Sequence, residues 1–385
     1  MSLVVLKNDF MSESMVTKMS STWNGDKLSL TISGVSHGSE IGMTLEGLPA
    51  GFAIDFNDLQ QFLARRSPSK HVWSTTRIEP DIPEFLSGLD GAKTDGTIIK
   101  AIIKNTDVRS SNYENTKTVP RPGHADFPAY VKYNGQLNMA GGGPFSGRLT
   151  ASLCVAGGIA CQILASKGIF VGAHISWIGG IFDEEFCPVT IKKDLLAAVA
   201  KKDFPVVDDE VGEVMKSLIT EVRVDGDSIG GEIECAVVGL PVGLGGALFD
   251  GLESRMASLV FGIPGVKGIE FGTGFDVVTM RGSENNDEYC FDNGRVVTKT
   301  NRSGGVLGGM TTGMPLMFNV AIKPTSSIAK PQNSVDLVTG ELVVLEIEGR
   351  HDPCIVPRAV PCVEAVAAIC VLDLLLVSEM FFGNE

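Results

Sequence analysis

Apolar and polar residues alternate in two runs near the start of the chain. Leu28, Leu30 and Ile32 interleave with Lys27, Ser29, Thr31 and Ser33, and Ile41, Met43 and Leu45 do the same after Gly34-Val35-Ser36-His37-Gly38. Period-two alternation buries one face of a strand, so the two runs predict a β-hairpin with His37 near its tip. Asn57 to Arg66 reads as a short helix, with Asn57 as N-cap, Pro68 closing it and Arg65-Arg66 at its basic end. Two prolines and a glycine exclude regular structure from Pro120-Arg121-Pro122-Gly123-His124-Ala125-Asp126, which must be a shaped loop. The small residues from Ala151 to Ala165 suit a closely packed helix, with Ser146 as candidate cap. Later, Phe318, Val320 and Ile322 alternate into Lys323-Pro324-Thr325-Ser326-Ser327, and a strand from Leu342 to Ile347 runs into Gly349-Arg350-His351-Asp352-Pro353. Pro361 suits the first turn of a last helix. Its apolar stretch Val363 to Val377, interrupted by Glu364 and Asp373, is too short to span a bilayer and reads as core.

Composition supports a large buried core of mixed α and β structure, since 44% of the 385 residues are hydrophobic and 20% charged. Residues 1–18 lack periodicity and are expected to be a mobile extension ahead of a single domain, 19–385. The 45 glycines follow no fixed period, which excludes solenoids and propellers. A formal charge of -14 argues against nucleic-acid and membrane partners, so any anion site must be local. Eight cysteines show neither CxxC pairs nor zinc-like spacing with histidine, so no metal site is expected. Free thiols and the absence of a secretory pattern at Met1 lead to the expectation of a cytoplasmic protein.

Candidate chemistry lies in the loops. Of five histidines, His37 and His124 are flanked by small residues that admit a ligand, whereas His174 reads as a structural strand residue and His71 carries no signal. Arg65, Arg66, Arg121, Arg148 and Arg350 lie in or beside the same loops as Lys323. A single arginine is by default a solvated surface group. The glycines, prolines and hydroxyls around Arg148 and Arg350 instead favour a recessed anion site, because guanidinium forks match phosphate and carboxylate. Gly304-Gly305-Val306-Leu307-Gly308-Gly309 does not satisfy a dinucleotide motif, which needs a following helix and an acidic residue about 20 positions on.

The ordered series Ser36-His37-Gly38, Arg121-Pro122-Gly123-His124-Ala125-Asp126, Gly305-Val306-Leu307-Gly308-Gly309, Lys323-Pro324-Thr325-Ser326-Ser327 and Arg350-His351-Asp352-Pro353-Cys354 resembles the chorismate synthase family from about Met19 to Val377. Asp225-Gly226-Asp227-Ser228 and Gly272-Thr273-Gly274-Phe275 add to the resemblance. It implies an α+β fold, a β-α-β sandwich with helices between antiparallel sheets, assembled as a homotetramer. It also implies 1,4-elimination of phosphate from 5-enolpyruvylshikimate-3-phosphate to give chorismate, the last common step toward the aromatic amino acids, with reduced FMN as cofactor. Carried over, the flavin contacts are Ser146, Gly308, Lys323, Pro324, Thr325, Ser326, Ser327 and Arg350, and the substrate contacts Ser36, Arg66, Arg121, Arg148 and Arg350. The implied catalytic residues are His37, His124 and Asp352.

The chain also departs from the family. Many members carry arginine at Ser67 and Val72, glutamate at Val35 and an Arg-Ser pair at Pro144-Phe145. A rim poorer in arginine predicts a monofunctional enzyme using FMN reduced elsewhere. Two alternatives stand beside it. One is a non-catalytic flavin- or anion-binding paralogue, against which the retained His37, His124 and Asp352 speak. The other is a bifunctional enzyme in which NADPH serves only as flavin reductant, against which the missing arginines speak.

Overall fold

Two five-stranded antiparallel sheets enclose a layer of helices in the computed structural model, which describes residues 20–68, 71, 73–74, 79–107, 118–137, 139–347 and 352–378. The extension at 1–18, Val72, and the loop residues Arg350 and His351 lie outside the described residues. The first sheet comprises β1 (Ser20–Asn24), β2 (Ser29–Gly34), β3 (Glu40–Glu46), β4 (Glu84–Ser87) and β5 (Ile99–Lys104), in the order β1-β2-β3-β5-β4. The predicted hairpin is β2 with β3, in a register that sets Leu30 opposite Leu45 and Gly34 opposite Ile41. The alternation is realised, for Leu30, Ile41, Met43 and Leu45 are all buried. The second sheet comprises β6 (Phe170–Ile178), β7 (Ile181–Phe182), β8 (Gly231–Val238), β9 (Val266–Phe271) and β10 (Leu316–Ile322), in the order β9-β10-β8-β6-β7.

The enclosed helices are α1 (Phe56–Arg66), α2 (Thr150–Ser166), α3 (Leu252–Val260) and α4 (Val356–Val377). α2 touches both sheets and packs along α4, which covers the second sheet. Small residues permit this closeness: a Cβ on Gly157 would lie 2.1 Å from the Cβ of Ala365. From Val356 to Leu376 every residue of α4 except Arg358 is buried. By length and composition α2, with its leading turn, and α4 could each cross a membrane, yet 94% of the apolar window of α4 is covered by protein.

The two carboxylates within α4 tie it to its surroundings. Glu364 accepts from Arg65 Nη1 at 2.5 Å and Nη2 at 2.8 Å, and from the Ala173 amide of β6 at 3.0 Å. Asp373 accepts from the amides of Asp26, Lys27 and Leu28, in the turn before β2, at 3.0, 2.9 and 2.7 Å. Buried carboxylates require such partners, since an unpaired one costs several kcal/mol. The same residues that interrupt the apolar stretch therefore bind it to both sheets.

Four local readings are corrected. The N-cap of α1 is Asp55, whose side chain accepts from the amides of Asn57 and Asp58, because the helix begins one residue before Asn57. Ser146 caps the short 3₁₀ turn Gly147–Leu149 leading into α2, not α2 itself. α4 begins at Val356 with Pro357 in its first turn, which places Pro361 inside the helix. The strand after Gly340 is shorter than expected, Leu342–Leu345.

Candidate active site

Segments distant in the chain meet at one place: the β2–β3 turn, the end of α1, Glu79, the loop before the helix Asp126–Lys132, the glycine-rich approach to α2, the turn before β9, the segment after β10, and the start of α4. Together they line a cavity of about 290 Å³. It gathers both selected histidines, Ser36, Arg66, Arg121, Arg148, Ser146, the run Lys323 to Ser327, and Asp352.

Glycines bring the backbone against both imidazoles. Gly141, at φ +62°, lies so close to His37 that a Cβ would stand 2.1 Å from its Nδ1. Gly142, at φ +90°, would place one 3.2 Å from Nε2 of His124. Side chains rarely adopt such φ values, and a Cβ at Gly141 would also collide with the imidazole, whereas one at Gly142 would only crowd it. The Ser36 amide donates to Gly143 O at 3.2 Å and joins the hairpin turn to this wall.

The Arg121–Asp126 loop is closed from inside. Asp126 accepts from the Arg121 amide at 3.0 Å, from its Nε at 2.7 Å and from its Nη2 at 2.8 Å. His124 Nδ1 lies 2.7 Å from Asp126 Oδ1. Arg121 Nη2, which can only donate, also lies 3.1 Å from Nδ1, but the shorter carboxylate contact favours the tautomer with the proton on Nδ1, which leaves Nε2 to exchange one. Burial alone would raise Asp126, but the hydrogen bonds from Arg121 and His124 outweigh it and hold it well below the usual carboxylate range.

Arg66, Arg121 and Arg148 are only 3%, 4% and 5% exposed, which rules out surface solvation as their role. Arg66 donates to Asp81 Oδ2 at 2.7 Å and to Thr150 Oγ1 at 3.0 Å. Arg148 donates to the other oxygen of Asp81 and, at 2.9 Å, to Asn105 Oδ1. Burial pushes Asp81 up, and the two guanidiniums bring it below its ordinary value. Ser67, where many family members carry arginine, adds a hydroxyl donor to Asp81 at 2.7 Å. The neighbouring Arg65 turns away to Glu364 and plays no part in the cavity.

On the opposite wall Lys323 Nζ donates to Gly123 O at 2.5 Å and to Ser326 Oγ at 2.7 Å, while Arg121 Nη1 donates to Ser327 Oγ at 3.1 Å. Burial, and then the charge of Lys267, lowers the Lys323 ammonium. Thr325 donates to Asp352 O at 2.8 Å. Arg358 grips both Asp352 oxygens through Nη1, at 2.9 and 2.7 Å, and reaches Arg66 O with Nε at 3.1 Å. Arg358, Asp81, Glu79 and the supporting role of Asp126 escaped the sequence reading. A lone arginine opening an apolar helix, and two acids interleaved with prolines at Glu79-Pro80-Asp81-Ile82-Pro83, were the available signals.

Gly308 is not brought to the cavity. It forms the turn between Val306–Leu307 and Met310–Thr311, at φ +60°, with open space where a Cβ would stand. That hairpin also excludes a dinucleotide-type helix after the glycines.

Arg66, Arg121, Arg148, Lys323 and Arg358 on the lining face the carboxylates Glu79 and Asp352, with Asp81 and Asp126 held behind the arginines. Such a site attracts a small polyanion locally within an acidic protein. Its donors fit a reduced flavin mononucleotide: a lysine and hydroxyls for phosphate and ring oxygens, and a glycine wall against which a planar ring can lie.

Fold and cavity thus bring two histidines and five cationic side chains to one recess, a class of site suited to a small polyanion. The chorismate synthase family model matches residues 28–376. A chorismate synthase from Lancefieldella parvula is 46% identical over 368 residues, covering 93% of this chain and 96% of that protein. One from Pyrococcus abyssi is 45% identical, covering 91% and 97%. A crystal structure of chorismate synthase superposes with a TM-score of 0.74 at 26% identity, over 92% of this chain and 93% of the other. The chain belongs to the chorismate synthase family.

Proposed function

We propose that this cavity binds 5-enolpyruvylshikimate-3-phosphate beside reduced FMN and eliminates phosphate to give chorismate. The activity follows from family membership: the chain is a carbon–oxygen lyase of aromatic biosynthesis, a chorismate synthase. Neither the binding-only paralogue nor the bifunctional reductase gains support, since these relatives are named for the synthase alone.

Ser36, Arg66, Arg121, Arg148 and Arg350 are proposed to bind the phosphate and two carboxylates of the substrate, each charge-assisted hydrogen bond contributing about 1.5–3 kcal/mol. Ser146, Lys323, Pro324, Thr325, Ser326, Ser327 and Arg350 would hold the flavin, and Gly308, which lies away from the cavity, is not among them. Bound reduced FMN would supply transient electron density and a hydrogen acceptor at N5 to an elimination that is redox-neutral overall. His37 delivers a proton to the departing phosphate oxygen. His124, with Nδ1 held by Asp126, would present a proton on Nε2 that stabilises a bound reduced flavin. Asp352, oriented by Arg358, would assist proton transfer in the site. The buried arginines stabilise charge as it grows on the leaving phosphate.

The flavin is proposed to arrive reduced, with no NADPH step here. A homotetramer is proposed as well, and the exposed apolar residues Leu248, Phe249, Phe275 and Val278 offer surface for subunit contact. A cytoplasmic location fits the thiols, all free among the described residues.

The observation that carries this reading is the meeting of His37 and His124 on one cation-lined cavity. His37→Ala and His124→Ala, assayed anaerobically with pre-reduced FMN, should each lose about 10²- to 10⁴-fold in kcat. Turnover within about threefold of wild type in both would sink the assignment.

A further inference from the structure

Two of the eight cysteines face each other across the α2–α4 interface. Cys154 Sγ lies 3.8 Å from Cys362 Sγ, although 208 positions separate them in sequence. Cys362 also lines the substrate cavity, one turn beyond Arg358, whose carbonyl accepts from its thiol at 3.5 Å. The proposed reaction uses neither sulfur.

We propose that Cys154 and Cys362 are a redox-active dithiol, entered from the substrate cavity, which a hydroperoxide converts to a disulfide that reversibly disables the site. In the first step the Cys362 thiolate attacks one peroxide oxygen. The O–O bond breaks, leaving a sulfenic acid on Cys362 and hydroxide, which takes up the thiol proton to become water. Cys154 Sγ then attacks the sulfenic sulfur, the S–O bond breaks, and a second water departs. Two thiols lose two electrons, and one hydrogen peroxide gains them. An external dithiol reverses the change by exchange.

The surroundings divide the two roles. The hydrogen bond donated by Cys154, aided by the Arg66 and Arg358 guanidiniums, lowers the Cys362 thiol against the effect of burial. Burial drives Cys154 up. The attacking sulfur is therefore the one on the cavity, and the resolving sulfur the one behind it. A disulfide needs its sulfurs about 2 Å apart, so the pair must close nearly half its present gap. The helices are already in contact at Gly157 and Ala365, which leaves the first turns of α4 as the part that shifts. Arg358 and the Asp352 it grips lie there.

The test treats the reduced, full-length protein, free of flavin, with a small excess of hydrogen peroxide, followed by non-reducing proteolysis and mass spectrometry. The expected product is a Cys154–Cys362 cross-linked peptide two hydrogens lighter than the dithiol. Activity should fall roughly tenfold or more, as small displacements of positioned groups do, and return with dithiothreitol. In Cys154→Ser the cross-link is absent and Cys362 gains oxygen instead, as a sulfenic acid that dithiothreitol still reverses and, with more peroxide, as higher acids that it does not. The proposal is overturned if the wild type yields no such peptide, or if wild-type inactivation proceeds without its formation. Should Cys154→Ser fail to fold, wild-type peptide mapping decides alone. The inactivation arm rests on the lyase reading but the cross-link does not, so the two can fail separately.

Discussion

Asp126 Oδ1 lies 2.7 Å from His124 Nδ1, so a residue two positions along the chain orients the imidazole that faces the cavity. Asp126→Asn would lose both the charge that selects the tautomer and one of the two oxygens on which Arg121 closes the loop, because an amide presents a donor where the carboxylate accepts. We expect kcat to fall about 10²- to 10⁴-fold, with KM changed only a few-fold. Steady-state kinetics with pre-reduced FMN, paired with nitrogen NMR of the imidazole, would check both halves. An unchanged kcat with a shifted tautomer would show that proton placement at His124 is unimportant.

Asp81 serves Arg66 and Arg148 at once. Asp81→Ala would leave two buried guanidiniums without their carboxylate, at a cost of about 3–5 kcal/mol. Its lowered pKa also has a sign. The unfolded carboxyl titrates near about 3.9. Between that value and the lower folded one, the unfolded chain binds more protons, so the contribution is complete above the unfolded pKa and is lost as pH falls through the folded one. Denaturant melts at pH 7 and along the acid limb should show a large loss at neutrality and a shallower acid dependence in the variant.

Arg358 holds Asp352 through one nitrogen and the end of α1 through another. Arg358→Lys keeps the charge but cannot reproduce both contacts. The expected result is roughly a 10- to 100-fold loss in kcat/KM with stability nearly unchanged. Wild-type kinetics in the variant would show that Asp352 needs no such support.

His174, buried in β6, lies 2.9 Å from Asp183 Oδ2 and 2.6 Å from Glu234 Oε2. Burial would lower its pKa, but these two carboxylates raise it above the ordinary value. The stabilisation is therefore complete below about 6.5, the unfolded value, and is lost as pH rises through the folded one. Thermal melts from pH 6 upward should show stability draining from the wild type. His174→Gln should be weaker at pH 6 and flatter above it, whereas parallel curves would contradict the charged pair.

Much of this was legible from local pattern. Alternation at Leu28, Leu30, Ile41, Met43 and Leu45 reports burial directly, with Ile32 only half-buried, and Pro120 to Ala125 could form only a loop, the helix starting at Asp126. What was not legible depends on distance or direction. Arg65 and Arg66 are neighbours in sequence, but about 100° of helical turn separates them, so one reaches Glu364 in the core and the other Asp81 at the site. Asp81 joins Arg148 across 67 positions, which no local signal conveys. Asn57 lost the capping role to Asp55 because both are good caps and only the helix start decides between them. Pro361 misled because a proline favours a first turn and Pro357 already occupies it.

The most direct test of the central claim is anaerobic incubation of the protein with 5-enolpyruvylshikimate-3-phosphate and dithionite-reduced FMN, following chorismate absorbance and free phosphate together. The account predicts equal amounts of both, exceeding the FMN present because the flavin is not consumed. Neither product appearing, with the protein folded and flavin bound, would contradict it.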